Sequence, residues 1–200
     1  MNSGDDTMPT NHLIVLIGGT STGKSTVART LQEVLLPEQW LHFSTDMIFY
    51  CLPQSILDAA NARNDWSRFD VPLVRRTTLS CLQAVLSAGN RVIYDCVVPT
   101  ELAAREMVVA FQSYRPLLIA LTCSWKEVER RTLARGDRTL EEAKRGFRAA
   151  DEHLDLDRVI DTTNRDPMGV ARDVLAALRD CPIDAWRRNL VRLGTSQPEP

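Results

Sequence analysis

Apolar residues recur along this chain in two kinds of pattern. Short apolar-rich runs at 13–17, 40–44, 91–95, 117–122 and 158–161 alternate with longer stretches whose apolar positions return every three to four residues. The short runs predict strands. The long ones predict helices over 24–35, 47–52, 73–88, 101–113, 125–135, 140–154 and 168–179. Strands alternating with helices in this way predict an α/β fold, with a parallel sheet covered by helices on both faces. Pro37 ends the first helix, and Ala88-Gly89-Asn90 forms a helix stop before the third strand. Residues 61–71, with Asn64, Asp65 and Asp70, read as a loop interrupted by Trp66 and Phe69. Residues 1–11 and 194–200 are expected to be disordered tails, which leaves one domain over 12–193 with no internal repeat.

Composition narrows the function classes. Two hundred residues suffice for one domain with its own core. A net charge of −2 gives no reason to expect nucleic acid or an anionic membrane as partner. No apolar run reaches the eighteen or so residues of a membrane span. The first ten residues lack the hydrophobic core of a secretion signal. Cys51, Cys81, Cys96, Cys123 and Cys181 show neither close pairing nor metal-type spacing, so they read as small buried residues in a reducing compartment. A cytoplasmic location is the expectation. The oligomeric state is left open.

The strongest chemical signal follows the first predicted strand. Gly18-Gly19-Thr20-Ser21-Thr22-Gly23-Lys24-Ser25, with Thr26 after it, fits the phosphate-loop pattern G-x-x-x-x-G-K-[ST] at every fixed position. The glycines let the backbone curl so that successive amides point into one concavity. Lys24 is expected to reach the outer phosphates and Ser25 to ligate Mg²⁺, while the following helix turns its N-terminal dipole toward the anion. The chain is therefore expected to bind a nucleoside triphosphate with Mg²⁺.

Three further features have both a chemical and an ordinary reading. Asp46 stands just beyond the second strand, where ligands bind in open α/β sheets. It is either a base for an acceptor hydroxyl or the cap of a helix starting at Met47. Asp95 closes the third strand, as a ligand in the Mg²⁺ shell, a partner of a substrate hydroxyl, or a turn residue. Arg131 and Arg135 share a helix face, Gly136 breaks that helix, and Arg138 follows on a loop. That segment is an arginine-bearing lid or a solvated basic face paired with neighbouring glutamates. His12, His42 and His153 suggest no metal site, and the tryptophans read as packing anchors, with Trp66 a candidate wall of an acceptor pocket. Arg187, Arg188 and Arg192 read as an exposed helix face.

In this order the pieces resemble chloramphenicol phosphotransferase and its relatives from residue 13 to about 178. The resemblance rests on the phosphate loop, Trp40-Leu41-His42-Phe43-Ser44-Thr45-Asp46, Arg91-Val92-Ile93-Tyr94-Asp95, Ala134-Arg135-Gly136-Asp137-Arg138 and Asp161-Thr162-Thr163. The last two are its more specific parts. The resemblance implies a three-layer α/β/α P-loop kinase fold with a five-stranded parallel sheet and an arginine-bearing lid. It implies transfer of the γ-phosphate of ATP to an antibiotic hydroxyl, with Asp46 as general base. Arg131 would lie against adenine, Arg135 near the transferred phosphate with Arg138, and Asn164 and Arg165 beside the adenine edge.

The chain departs from the family in its acceptor half. Asp95-Cys96 stands where the chloramphenicol enzyme has two acids, and Asp151 stands where it has a histidine. Residues 47–87 match poorly, and a glycine-rich insertion is replaced by the shorter 61–70. Arg63, Arg68, Arg75 and Arg76 suit a more polar or anionic acceptor, such as a nucleoside or sugar antibiotic, and equally suit a plain surface. Arg75 and Trp66 join Asp46 and Asp95 as acceptor-site candidates. The expected activity is an ATP-dependent small-molecule O-phosphotransferase conferring antibiotic resistance. Its rivals are a metabolite kinase of the shikimate or gluconate type and a nucleotide-dependent regulatory ATPase.

Overall fold

β1 (Leu13–Ile17) runs through the middle of a five-stranded sheet with every residue buried. The computed structural model describes residues 12–63, 65, 67, 69–136, 139–148, 153–180 and 182–194. Around β1 lie β2 (Trp40–Ser44), β3 (Arg91–Cys96), β4 (Leu117–Thr122) and β5 (Arg158–Asp161), in the order β2-β3-β1-β4-β5. All pairings are parallel. The strands lie where the hydrophobic runs predict them, β3 being one residue longer.

Two apolar layers follow from the two-residue period of a strand. Ile14 and Leu16 point to one face, into a cluster with Val27, Ala28 and Leu31 of α1 (Lys24–Val34) and Val170, Ala171 and Val174 of α8 (Pro167–Asp180). Leu13, Val15 and Ile17 point to the other. There they meet Leu79 and Leu82 of α4 (Val71–Ser87), Met107 and Val108 of α5 (Glu101–Ala110), and Trp186 and Leu193 of α9 (Ala185–Gly194). Each fully buried Leu or Ile contributes about 1.5–3 kcal/mol, so a strand shared by two cores is the most secure frame on which to hang a loop. The result is the predicted three-layer α/β/α sandwich.

The remaining elements bear on the site. α2 (Asp46–Phe49) and α3 (Gln54–Arg63) follow β2, while α6 (Trp125–Arg135) and α7 (Leu140–Arg148) follow β4. α2 is shorter than expected, and α3 occupies a stretch left unassigned and then read as loop. α4 begins at Val71 because the Asp70 carboxylate accepts from the Leu73 amide and Pro72 fits the first turn. α9 extends the chain's helical part to Gly194, a residue expected in the tail. The rest of both predicted tails lies outside the described residues. Cys96 and Cys123 are buried as expected, but Cys51 is exposed. No helix among the described residues is long and apolar enough to cross a membrane.

Candidate active site

The loop between β1 and α1 is tightly held by the chain's own contacts. Gly23 caps α1 in the left-handed region at φ 95°, and a Cβ on Gly18 would meet Leu121 O at 2.5 Å. Lys24 Nζ and Thr22 Oγ1 both donate to Gly19 O, at 2.8 and 2.9 Å. The hydroxyls of Ser21 and Thr132 on α6 are 3.0 Å apart, and Thr162 Oγ1 lies 2.8 Å from Thr22 O. The loop is thus tied to the lid-side helix and to the end of β5.

Lys24, Ser25 and Thr26 share a cleft of about 160 Å³ with Thr20, Ser21, Ser44, Asp46, Asp95 and Arg135. Asp46 is exposed at the first turn of α2, with Thr45 at the cap position, so the helix begins at Asp46 rather than at Met47. Its amide hydrogen bonds Ser44 Oγ at 3.3 Å. Asp95 is buried on β3 opposite Ser44 of β2. Burial alone pushes its carboxyl up, but hydrogen bonds from His42, Ser25 and Ser44 outweigh that and hold it below the usual carboxylate range. The His42 contact is 2.7 Å, Nε2 to Oδ2.

A second cavity of about 540 Å³ adjoins through Gly23 and Thr26 and is lined also by Arg130, Arg131, Thr162, Asn164 and Arg165. Arg131 spans three elements. It donates to Glu127 Oε1 at 2.8 Å, Thr162 Oγ1 at 3.2 Å, Thr162 O at 2.7 Å and Ser21 O at 3.4 Å. Glu127, buried on α6, also accepts two hydrogen bonds from Arg130. Arg130 first, then Arg131, hold its carboxyl down at about 2 against the cost of desolvation. Asn164 turns the chain at φ 51°, and Arg165 pairs with Asp173 at 2.7 Å.

The sequence candidates thus divide by place. Lys24, Ser25, Asp46, Asp95 and Arg135 share the phosphate cleft, while Arg131, Asn164 and Arg165 share the adjoining cavity. Arg135 and Arg131 sit one turn apart on α6, and Gly136 ends that helix at φ 67° as its position predicts. Arg75 does not line the cleft; its Nε bonds Glu106 on α5 at 2.5 Å. Trp66 and Arg138 lie outside the described residues. His42 was passed over in the sequence because no metal-like spacing surrounds it. Its signal was strand alternation, which puts it on the face of Ser44.

The oxygen donors fit Mg²⁺. Ser25 and Asp95 both line the cleft, and a hydroxyl and a carboxylate are hard oxygen donors of the kind this ion takes. No cluster of three or more His, Cys, Asp or Glu able to hold a metal occurs among the described residues. A phosphate-loop magnesium does not need one, since it draws most of its shell from phosphate oxygens and water.

A phosphate loop at the carboxyl end of the central strand, in a sheet of order 2-3-1-4-5 and under an arginine-bearing helix, defines a phosphotransferase of the P-loop kinase type. The family model described as chloramphenicol phosphotransferase-like protein matches residues 11–179, and the chain belongs to that family. A Mycobacterium tuberculosis relative named "Putative O-phosphotransferase" is 28% identical, covering 88% of this chain and 85% of its own. Among solved structures, a gluconokinase from Sinorhizobium meliloti has a TM-score of 0.61 at 15% identity, covering 92% of this chain and 97% of its own. The Mycobacterium tuberculosis adenosine-phosphosulfate (APS) kinase CysC also has a TM-score of 0.61 at 15% identity, covering 85% and 99%. These two likenesses concern the fold.

Proposed function

We propose that the chain transfers the γ-phosphate of ATP to a hydroxyl of a small antibiotic. One observation carries this reading. A single cleft brings together the phosphate-loop Lys24, the oxygen donors of Ser25 and Asp95, the exposed carboxylate of Asp46 and Arg135. A carboxylate at that place can take a proton from an acceptor hydroxyl as the phosphate moves. Family membership and the name of the mycobacterial relative support an alcohol acceptor.

In this reading the loop amides and Lys24 bind the phosphates, while Arg131, Asn164 and Arg165 border the nucleoside. Ser25 and Asp95 would hold Mg²⁺, which when bound would neutralise charge on the phosphate oxygens. Asp46 orients the acceptor hydroxyl and takes its proton as the new oxygen–phosphorus bond forms. The bond to the nucleoside diphosphate breaks in the same exchange. Arg135 faces the transferring group, where a guanidinium offsets the developing charge.

The test is a transfer screen with ATP and Mg²⁺ against chloramphenicol, nucleoside antibiotics, aminoglycosides, shikimate and gluconate, read by mass spectrometry. The expected result is one phosphate added to an antibiotic. Phosphorylation of shikimate or gluconate alone would replace the antibiotic with a metabolite, and ATP hydrolysis without any product would remove transfer altogether.

A further inference from the structure

We infer that His42 is a positioning residue for Asp95, fixing the carboxylate in the orientation that receives the metal. The inference rests on the reading of Ser25 and Asp95 as the metal-holding wall. His42 Nε2 lies 2.7 Å from Asp95 Oδ2, with the two side chains 15% and 4% exposed. His42 does not itself line the phosphate cleft, whereas Asp95 and Ser25 do. Its side chain reaches the cleft wall through Asp95.

The strand register makes this contact rigid. β2 and β3 pair with Ser44 beside Asp95 and His42 beside Ile93. His42 and Ser44 therefore reach the same carboxylate from one face of β2. Asp95 has one firmly placed partner, the His42 imidazole at 2.7 Å. The hydroxyls of Ser25 and Ser44, which also help hold its carboxyl down, rotate freely. A metal on Ser25 takes a lone pair of that hydroxyl, whose proton can then point toward Asp95 or away from it. The imidazole is planar and its ring is carried by a paired strand, so its bond does not depend on where that proton points. A ligating carboxylate commonly depends on such an outer partner, whose loss lowers metal affinity by about 10–100-fold.

The alternative is a purely structural contact between two neighbouring strands. It predicts that losing His42 weakens the fold and nucleotide binding alike, with or without metal. Positioning predicts a loss confined to the metal-dependent part.

The experiment uses the full chain as wild type, His42→Leu, His42→Gln and His42→Asn. Calorimetry gives the affinity for a non-hydrolysable ATP analogue with and without Mg²⁺, and thermal unfolding checks each ligand-free fold. We expect His42→Leu to lose about tenfold or more of the Mg²⁺-dependent gain while its metal-free affinity stays put. His42→Gln, whose amide nitrogen can reach Asp95, should recover most of the gain, and the shorter His42→Asn should not. Should His42→Leu fail to fold, the contrast between Gln and Asn carries the same test. A full Mg²⁺ gain in His42→Leu or His42→Asn overturns the inference, as does an equal loss with and without metal. If the wild type itself shows no Mg²⁺ gain, the metal-wall reading falls and this inference with it. A normal wild-type gain with unaffected variants removes His42 alone.

Discussion

A Cβ placed on Gly146 of α7 would stand 2.2 Å from Thr20 Oγ1 in the phosphate loop. The approach is mutual, since a Cβ on Gly19 would meet Phe147 Cα at 2.8 Å. Thr20 N donates to Gly146 O at 3.4 Å, and Phe147 packs edge-on against Trp125 with centroids 5.6 Å apart. Helix and loop therefore meet backbone to backbone.

Gly146→Ala sets two effects against each other. Alanine in a helix gains about 1 kcal/mol over glycine, while overpacking costs about 1–3 kcal/mol. We expect net destabilisation in the wild type and a neutral or stabilising effect in a Thr20→Ala background, where the clashing hydroxyl is gone. Chemical denaturation of the four-variant cycle should give a coupling of about 1–2 kcal/mol. Equal effects of Gly146→Ala in both backgrounds would show that Thr20 is not what requires the glycine.

Glu127 should shape the acid limb of stability. Its carboxyl sits at about 2 in the folded chain, held by Arg130 and Arg131, against 4.5 ordinarily. A carboxyl depressed by folding binds its proton more readily once unfolded, so falling pH favours unfolding. Its contribution is complete above about pH 4.5 and is lost as pH falls toward 2. Glu127→Gln should lower stability at pH 7 and flatten the decline between pH 4.5 and 2. An unchanged slope in urea titrations across that range would mean the carboxyl is not depressed.

Legibility in the sequence follows physical cause. β1 and β4 were plain because strands buried on both faces are continuously apolar. The phosphate loop was plain because its glycines answer local backbone needs and its lysine and serine suit a phosphate and its metal at a fixed spacing. α3 was missed because Gln54-Ser55-Ile56-Leu57-Asp58-Ala59-Ala60 buries only Leu57 and Ala60, too little to mark a period. The strand order is a pairing of distant segments, and no local pattern encodes it. Arg75 looked like an acceptor contact by type, but Glu106, thirty-one residues on, had the nearer claim. Nothing in a linear reading announces such a partner.

Asp46 and Asp95 should separate kinetically. Asp46 is exposed on the rim of the cleft, whereas Asp95 is buried among hydrogen-bond donors that keep it ionised. Asp46→Asn should fold and bind Mg²⁺-ATP normally while kcat falls by about 10²–10⁴, the span of general base catalysis. Asp95→Asn should weaken Mg²⁺-dependent nucleotide binding first. Near-normal turnover of Asp46→Asn on the acceptor found by the screen would take that residue out of the mechanism.

Arg131 and Arg135 lie one helical turn apart yet should fail in different ways. Arg131 donates to Glu127, Ser21 and Thr162, joining α6 to the loop and to the end of β5. A lysine has one compact ammonium and cannot hold that fork. Arg131→Lys should therefore cost about 1–3 kcal/mol of stability, as for lost hydrogen bonds to charged groups, and raise the KM for ATP. Arg135 is exposed and lines the phosphate cleft. Arg135→Ala should leave folding and ATP binding nearly intact while lowering kcat, because the charge it offsets develops only in transfer. Steady-state kinetics beside thermal unfolding reads both. A matching KM rise and stability loss in Arg135→Ala would make it a second bracket like Arg131, and the cleft would then lack its charge-offsetting arginine.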